Sequence, residues 1–138
     1  VKERETMKYV QPAHWPRPKG YANGVVASGR TVFVSGMIAS NAQGKVVAGD
    51  FVSQACQTLK NIVEVLSEAG AKPEHIVRMN WYVVDKNEYL GAYRQLGAVY
   101  REIIGSHYPA MTAVQVTSLL EDAARLEIEV TAVIPDGR

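Results

Sequence analysis

Near its C-terminal end the chain reads RLEIEVTAVI, residues 125–134, an unbroken alternation of side-chain character. Leu126, Ile128, Val130, Ala132 and Ile134 fall on one side, and Arg125, Glu127, Glu129, Thr131 and Val133 on the other. Successive strand residues point to opposite faces of a sheet, so this stretch predicts a strand with one apolar face and one that carries carboxylates. A slip of one residue would drive both glutamates into the core, which specifies the register tightly. Whatever else the chain does, it must cover the first face and accommodate the second.

The remaining segments supply partners. HIVRMNWYVVD predicts a strand with Val77, Met79, Trp81 and Val83 as an apolar row and Ile76, Arg78, Asn80, Tyr82 and Val84 as a mixed one. MTAVQVT is a further strand, entered through Tyr108-Pro109-Ala110. GVVAS and TVFVSG, separated by Gly29-Arg30, predict a hairpin, and NAQGK a second turn. A first helix begins at Asp50 as N-cap and runs to Gly70, with Val52, Ala55, Leu59, Ile62 and Leu66 as its apolar stripe and Cys56 and Val63 at its margin. A second begins with Asp85 and Glu88 spaced as a capping box. Its stripe is Tyr89, Tyr93, Leu96, Tyr100 and Ile103, and Gly105 ends it. Gly91 and Gly97 weaken this helix, and close approach of another backbone is the expected reason.

Residues 1–20 are expected to form an irregular arm, since QPAHWPRPKG holds three of the six prolines; residues 21–138 form the domain. VKERETMKYV has no hydrophobic centre, so no secretory signal is expected, and Met7 is a candidate start preceded by a less ordered leader. The order ββ-α-β-α-ββ places two amphipathic helices on one face of a sheet, an α+β two-layer domain. The other face is expected to carry Arg78, Asn80, Tyr82, Gln115, Thr117, Glu127 and Glu129 beside Ile76, Val84 and Val133. That mixture is too apolar for solvent and too polar for a monomer core. A partly solvated face would tolerate it; an oligomer whose sheets meet explains it better.

Fifteen basic and 14 acidic residues are interspersed to a net charge of +1, which argues against a nucleic-acid footprint. No apolar run approaches the roughly 20 residues of a membrane span. One cysteine, Cys56, excludes an internal disulfide framework; it reads as a core residue rather than a nucleophile, and a reducing cytoplasm is the expected compartment. His14, His75 and His107 lack paired ligand spacing, so no metal site is expected. His14 and Trp15 read as surface loop residues, with a place lining a cleft as the alternative. Glu127 is mid-strand, where it either pairs with Arg125 or Arg78 or serves a water or a proton. Met111 stands just inside a strand mouth, either as a packing residue or where another chain of this shape carries a charge.

From about Gly20 to Ile134, GYANGV, TVFVSGMI, QACQTLKNIVEVLSEAGA, IVRMNWYVVD, YPA and LEIEVTAV together resemble the RidA (YjgF, L-PSP, reactive intermediate deaminase) family. The resemblance implies a chorismate-mutase-like fold and a homotrimer whose sheets form a central barrel with clefts between subunits. It also implies cofactor-independent hydrolysis of enamines and imines such as 2-aminoacrylate. Tyr21, Ser35, Gly36 and Glu127 match the family's pocket tyrosine, Ser-Gly pair and water-handling glutamate. Met111 stands where the family's substrate-binding arginine belongs, Ala113 where many members have cysteine, and Tyr93 where some have asparagine. Arg17 or Lys19 is a candidate replacement cation. Two readings follow: a deaminase of altered specificity, acting on a 2-aminomuconate-like or other non-standard substrate, and a non-catalytic metabolite-binding or holdase-like trimer. The partners expected are the chain itself and a small molecule, with neither nucleic acid nor membrane.

Overall fold

The alternation at residues 126–134 is realised as a central strand. A computed structural model describes residues 7–136 in the order β1 (Met7–Val10), β2 (Gly24–Ala27), β3 (Arg30–Met37), α1 (Phe51–Glu68), a 3-10 turn (Pro73–His75), β4 (Ile76–Val83), α2 (Lys86–Gly91), α3 (Tyr93–Ile103), β5 (Ala110–Gln115) and β6 (Leu126–Ile134). The leader expected before Met7 lies outside the described residues. The main sheet runs β3-β6-β4-β5, with β6 antiparallel to both neighbours and β5 parallel to β4. All five apolar residues of the β6 row are buried, and the glutamates between them are half-buried on the other face.

Helix α1 packs on β3, β6 and α3. Asp50 caps it by accepting the Ser53 N–H at 2.9 Å, and Gly70 follows its end with φ +80°. Its buried face includes Phe51, Gln54 and Thr58 as well as Ala55, Leu59, Ile62 and Leu66, while Val52, Cys56 and Val63 are half-buried flanks. Gln54 is a polar pin in this face. Its amide donates to the carbonyls of Val47 (3.4 Å) and Ala123 (3.0 Å) and accepts from the Arg125 N–H (2.8 Å), tying the helix to the entry of β6.

Several expectations change. The hairpin of residues 24–36 does not pair with itself: β2 pairs with β1, and β3 pairs with β6. The eight residues of β3 match the free edge of β6, whereas β2 has only four. Gly29 (φ +143°) makes the crossing between the two sheets, where a Cβ would collide with the Ile134 carbonyl. The N-terminal arm is therefore partly a strand. It is anchored by Tyr9 on His107 Nδ1 (2.6 Å), while His107 Nε2 meets the Ile76 carbonyl (2.6 Å). A carbonyl needs a donor, so Nε2 carries the proton and Nδ1 accepts the tyrosine hydroxyl.

In β4 a bulge between Ile76 and Arg78 reverses the faces at its start, so Ile76 is buried and Val77 is not. Gln115 lies opposite Val83 and shares the helix-side face. The second helix is two, broken at Ala92. Asp85 caps α2 through the Asn87 N–H (2.9 Å), but Glu88 forms an ion pair with Arg125 instead of closing a capping box. Ile104, rather than Ile103, is the buried residue at the end of α3.

Ile128→Ala opens a cavity at the centre of β6 and is expected to cost about 2–5 kcal/mol. Gln54→Leu leaves the Arg125 N–H without its acceptor, at about 1–3 kcal/mol. Urea denaturation should show both as lowered midpoints with an unchanged slope.

Candidate active site

Because β5 is parallel to β4, Met111 lies opposite Met79 and Ala113 opposite Trp81, on the helix side of the sheet. Met111 is half-buried and packs against the core at the floor of a cleft of about 640 Å³. The walls come from β4 (Trp81), α2 (Tyr89) and α3 (Tyr93), with Lys19, Arg94 and Arg101 also lining it. Tyr89 meets Trp81 and Tyr93 edge-on, with ring centroids 5.7 and 6.1 Å apart. Burial, and then the neighbouring Tyr93, push the Tyr89 phenol up. Tyr93 is 56% exposed at the mouth. Gly91 and Gly97 line this cleft too, and the expected close backbone is not what they serve. Nothing lies within 4 Å of a Cβ built on Gly91, and one on Gly97 meets only the Arg101 guanidinium at 3.3 Å.

A second pocket, of about 340 Å³, holds Tyr21 and Arg17 and shares Tyr108 as a wall with the first. The Ala22 N–H donates to the Pro109 carbonyl at 2.9 Å, which holds the Tyr21 segment at the mouth of β5. The two candidate cations are thus separated: Lys19 lines the Met111 cleft and Arg17 the Tyr21 pocket. Ala113 is exposed on the edge strand. His14 and Trp15 are exposed and line neither cavity.

Glu127 lies on the opposite face of the sheet, across from Tyr82. It makes no ion pair among the described residues, since Arg125 pairs with Glu88 and Arg78 donates to Thr112 Oγ1 (3.3 Å). Its carboxylate sits instead against Gly36, where any Cβ would collide with it. The irregularity of β3 between Val34 and Met37 brings Ser35 and Gly36 to this position. Two residues on, Glu129 accepts hydrogen bonds from the Tyr82 hydroxyl and from Asn80 Nδ2 (3.0 Å). These donors, Tyr82 first, hold the Glu129 carboxyl below its ordinary value, and the same bond pushes the Tyr82 phenol up. Phe33, 79% exposed, belongs to this face as well.

The candidate residues therefore fall into three groups: Met111, Tyr93 and Lys19; Tyr21 and Arg17; and Glu127, Ser35 and Gly36. Arg94, Arg101, Trp81 and Tyr89 were not singled out as site residues from the sequence. The available signal for them is the pair Gly91 and Gly97, which line the same cleft from α2 and α3. Among the described residues no group of three or more His, Cys, Asp or Glu side chains is placed to hold a metal ion. No helix among them is long and apolar enough to cross a membrane.

Residues 14–134 match the family model described as endoribonuclease L-PSP. A RutC family protein of Pyrococcus abyssi is 32% identical over 118 residues, 85% of this chain and 89% of its own length. Human 2-iminobutanoate/2-iminopropanoate deaminase is 29% identical over 127 residues, covering 91% of this chain and 89% of the human one. The crystal structure of a Yersinia pestis protein of the conserved Rid protein family superposes with a TM-score of 0.80 at 33% identity, over 94% of this chain and 100% of that one.

The Glu129 carboxyl has its pKa lowered on folding, so its contribution is present above the ordinary value of 4.5 and is lost as pH falls through the lowered one. Urea denaturation across that range should show stability falling with pH, and Tyr82→Phe should flatten the dependence.

Proposed function

We propose that this chain, which belongs to the endoribonuclease L-PSP (RidA/YjgF) family, is a cofactor-independent hydrolytic deaminase of an enamine or imine metabolite. The observation that carries the reading is the Glu127 carboxylate, free of ion pairs among the described residues and lodged where residue 36 has no side chain. The name of the human relative, an iminobutanoate and iminopropanoate deaminase, supports the same chemistry.

An enamine first takes a proton at carbon to become an imine. Water then adds to the C=N carbon, Glu127 accepting the proton that the water loses. The nitrogen of the tetrahedral adduct takes that proton and then the adduct's hydroxyl proton, so that ammonia leaves as the carbonyl forms. One C–O bond forms and one C–N bond breaks, and no redox partner is needed. Positioned proton transfer of this kind contributes about 10²- to 10⁴-fold to rate.

Glu127 and Met111 lie on opposite faces of one sheet, so a site that uses both draws them from two subunits. A homotrimer with clefts between its sheets would supply that arrangement and cover Phe33. Met111 places a thioether where a guanidinium would fork onto a small carboxylate, an exchange worth about 2–5 kcal/mol against such substrates. The substrate is therefore larger or held by its carboxylate elsewhere, as a 2-aminomuconate-like compound would be. Met111 also favours a second reading, a trimer that binds a metabolite without turning it over.

Ammonia release from enzymatically generated imines is expected to fall about 10²- to 10⁴-fold in Glu127→Gln with the trimer intact. Persistent activity would overturn the role given to Glu127. Met111→Arg should gain activity toward 2-aminoacrylate, and inactivity of both wild type and variant toward every imine tested selects the binding reading. Sedimentation at micromolar concentration should show a trimer; a monomer sinks the two-subunit site.

A further inference from the structure

The cleft above Met111 is larger and more cationic than a three- or four-carbon imino acid calls for. Its volume of about 640 Å³ falls in the range of about 300–1,000 Å³ that encloses ligands of drug size. Lys19, Arg94 and Arg101 line it, and among the described residues no acidic side chain does. None of the three cations makes an ion pair within the described residues. Uncompensated positive charge around a partly enclosed cavity attracts an anion.

The walls say what the rest of that anion is. Five aromatic side chains line the cleft, with Trp81, Tyr89 and Tyr93 in successive edge-to-face contact. Trp81 is only 5% exposed, and its indole N–H has no acceptor among the described residues. A buried donor without a partner is costly, and a ligand oxygen brought against this wall would recover part of that cost.

The two helix glycines point the same way. Neither Gly91 nor Gly97 has a positive φ, so backbone geometry does not require glycine at either position. Gly97, inside α3, costs that helix about 0.5–1 kcal/mol relative to alanine, whereas Gly91 is the last residue of α2. What they leave is room: the space at Gly91 is open, and the Arg101 guanidinium reaches back over Gly97. Arg94 and Arg101 are two helical turns apart, about 10 Å, and so cannot fork onto one carboxylate together.

We infer that this cleft binds a 2-imino acid with an aryl side chain, its carboxylate on Arg101 and its ring among Trp81, Tyr89 and Tyr93. Met111 is then the apolar floor beneath the ligand. The carboxylate partner has moved from the edge strand to α3. This deepens the deaminase reading and rests on it for the reaction, in which water replaces the imine nitrogen to give an aryl 2-keto acid and ammonia; the binding stands without it.

Calorimetric titration of the whole protein with 3-phenylpyruvate and with pyruvate separates the possibilities. Phenylpyruvate is expected to bind at least about tenfold more tightly, and Arg101→Gln to weaken it about tenfold, as loss of a charge-assisted hydrogen bond does. Lys60→Gln, an exposed cation on α1, controls for net charge and should bind as wild type does. Gly97→Leu fills the cleft while improving the helix, so it should weaken phenylpyruvate and raise the melting temperature together. Equal affinity for pyruvate, or wild-type binding by both cleft variants, overturns the inference. In parallel, ammonia release is followed from imines generated by an amino acid oxidase acting on phenylalanine and on alanine. Release from the alanine imine with no preference for the phenylalanine imine overturns the inference and leaves the deaminase reading standing. The expected binding pattern with no release from either imine confirms the aryl carboxylate site and removes the deaminase reading alone.

Discussion

Strand β6 is hydrogen-bonded along both edges, and its five inward side chains are the middle of the core. Moving it by one residue would bury Glu127 and Glu129 and expose Ile128 and Val130, a change that no rearrangement of the helices offsets. That single register sets the faces of β3 and β4 through pairing, and of β5 through β4. It also fixes the separation of the candidate residues. Glu127 must lie on the open face because its neighbours must not, and Met111 reaches the helix face because it lies opposite Met79. The division of the site between two faces is thus a consequence of the core.

Much of this architecture was legible in short-range patterns. The period of two in residues 126–134, the helical stripe after Asp50 and the turn at Asn41–Gly44 all appear where local chemistry put them. Features that depend on distant partners were not legible. A glycine turn between two β-rich runs says that the chain reverses, not which strand each run will join, and β2 and β3 take different partners. The bulge in β4 depends on its alignment with β6, and it moved Ile76 and Val77 to unexpected faces. Gln54 is polar within the buried face of α1, and no local pattern explains it. Its role requires three backbone groups, and two of them, on Ala123 and Arg125, are about 70 residues away.

The candidate site divides the same way. Glu127 lies against Gly36 because β3 is irregular between Val34 and Met37, a feature that local pattern does not show. Glycine at 91 and 97 is visible in the sequence, but the cleft that both line is not, because it exists only where α2, α3, β4 and β5 meet. Arg94 and Arg101 are exposed on α3, on either side of Gly97 in sequence. Only the fold sets them beside an aromatic wall. Lys19 and Arg17, adjacent to one proline, part company because the chain turns into separate cavities on either side of Tyr108.

Glu127 and Glu129 make the sharpest comparison within the molecule. They share a strand and a face, and each lies opposite a residue of β4. Glu129 is engaged by two donors, which favour its ionised form and tie it to the sheet. Both bonds fall on Oε1, which is thereby committed to structure. Glu127 has Gly36 beside it where a side chain would otherwise press, and no cation pairs with it among the described residues. A carboxylate in that position keeps its lone pairs for whatever enters from the open face, which is what a group that takes a proton from water requires. On the proposed reading the glutamate nearer the strand's start is the chemical one, and its neighbour, tied to Tyr82 and Asn80, the structural one.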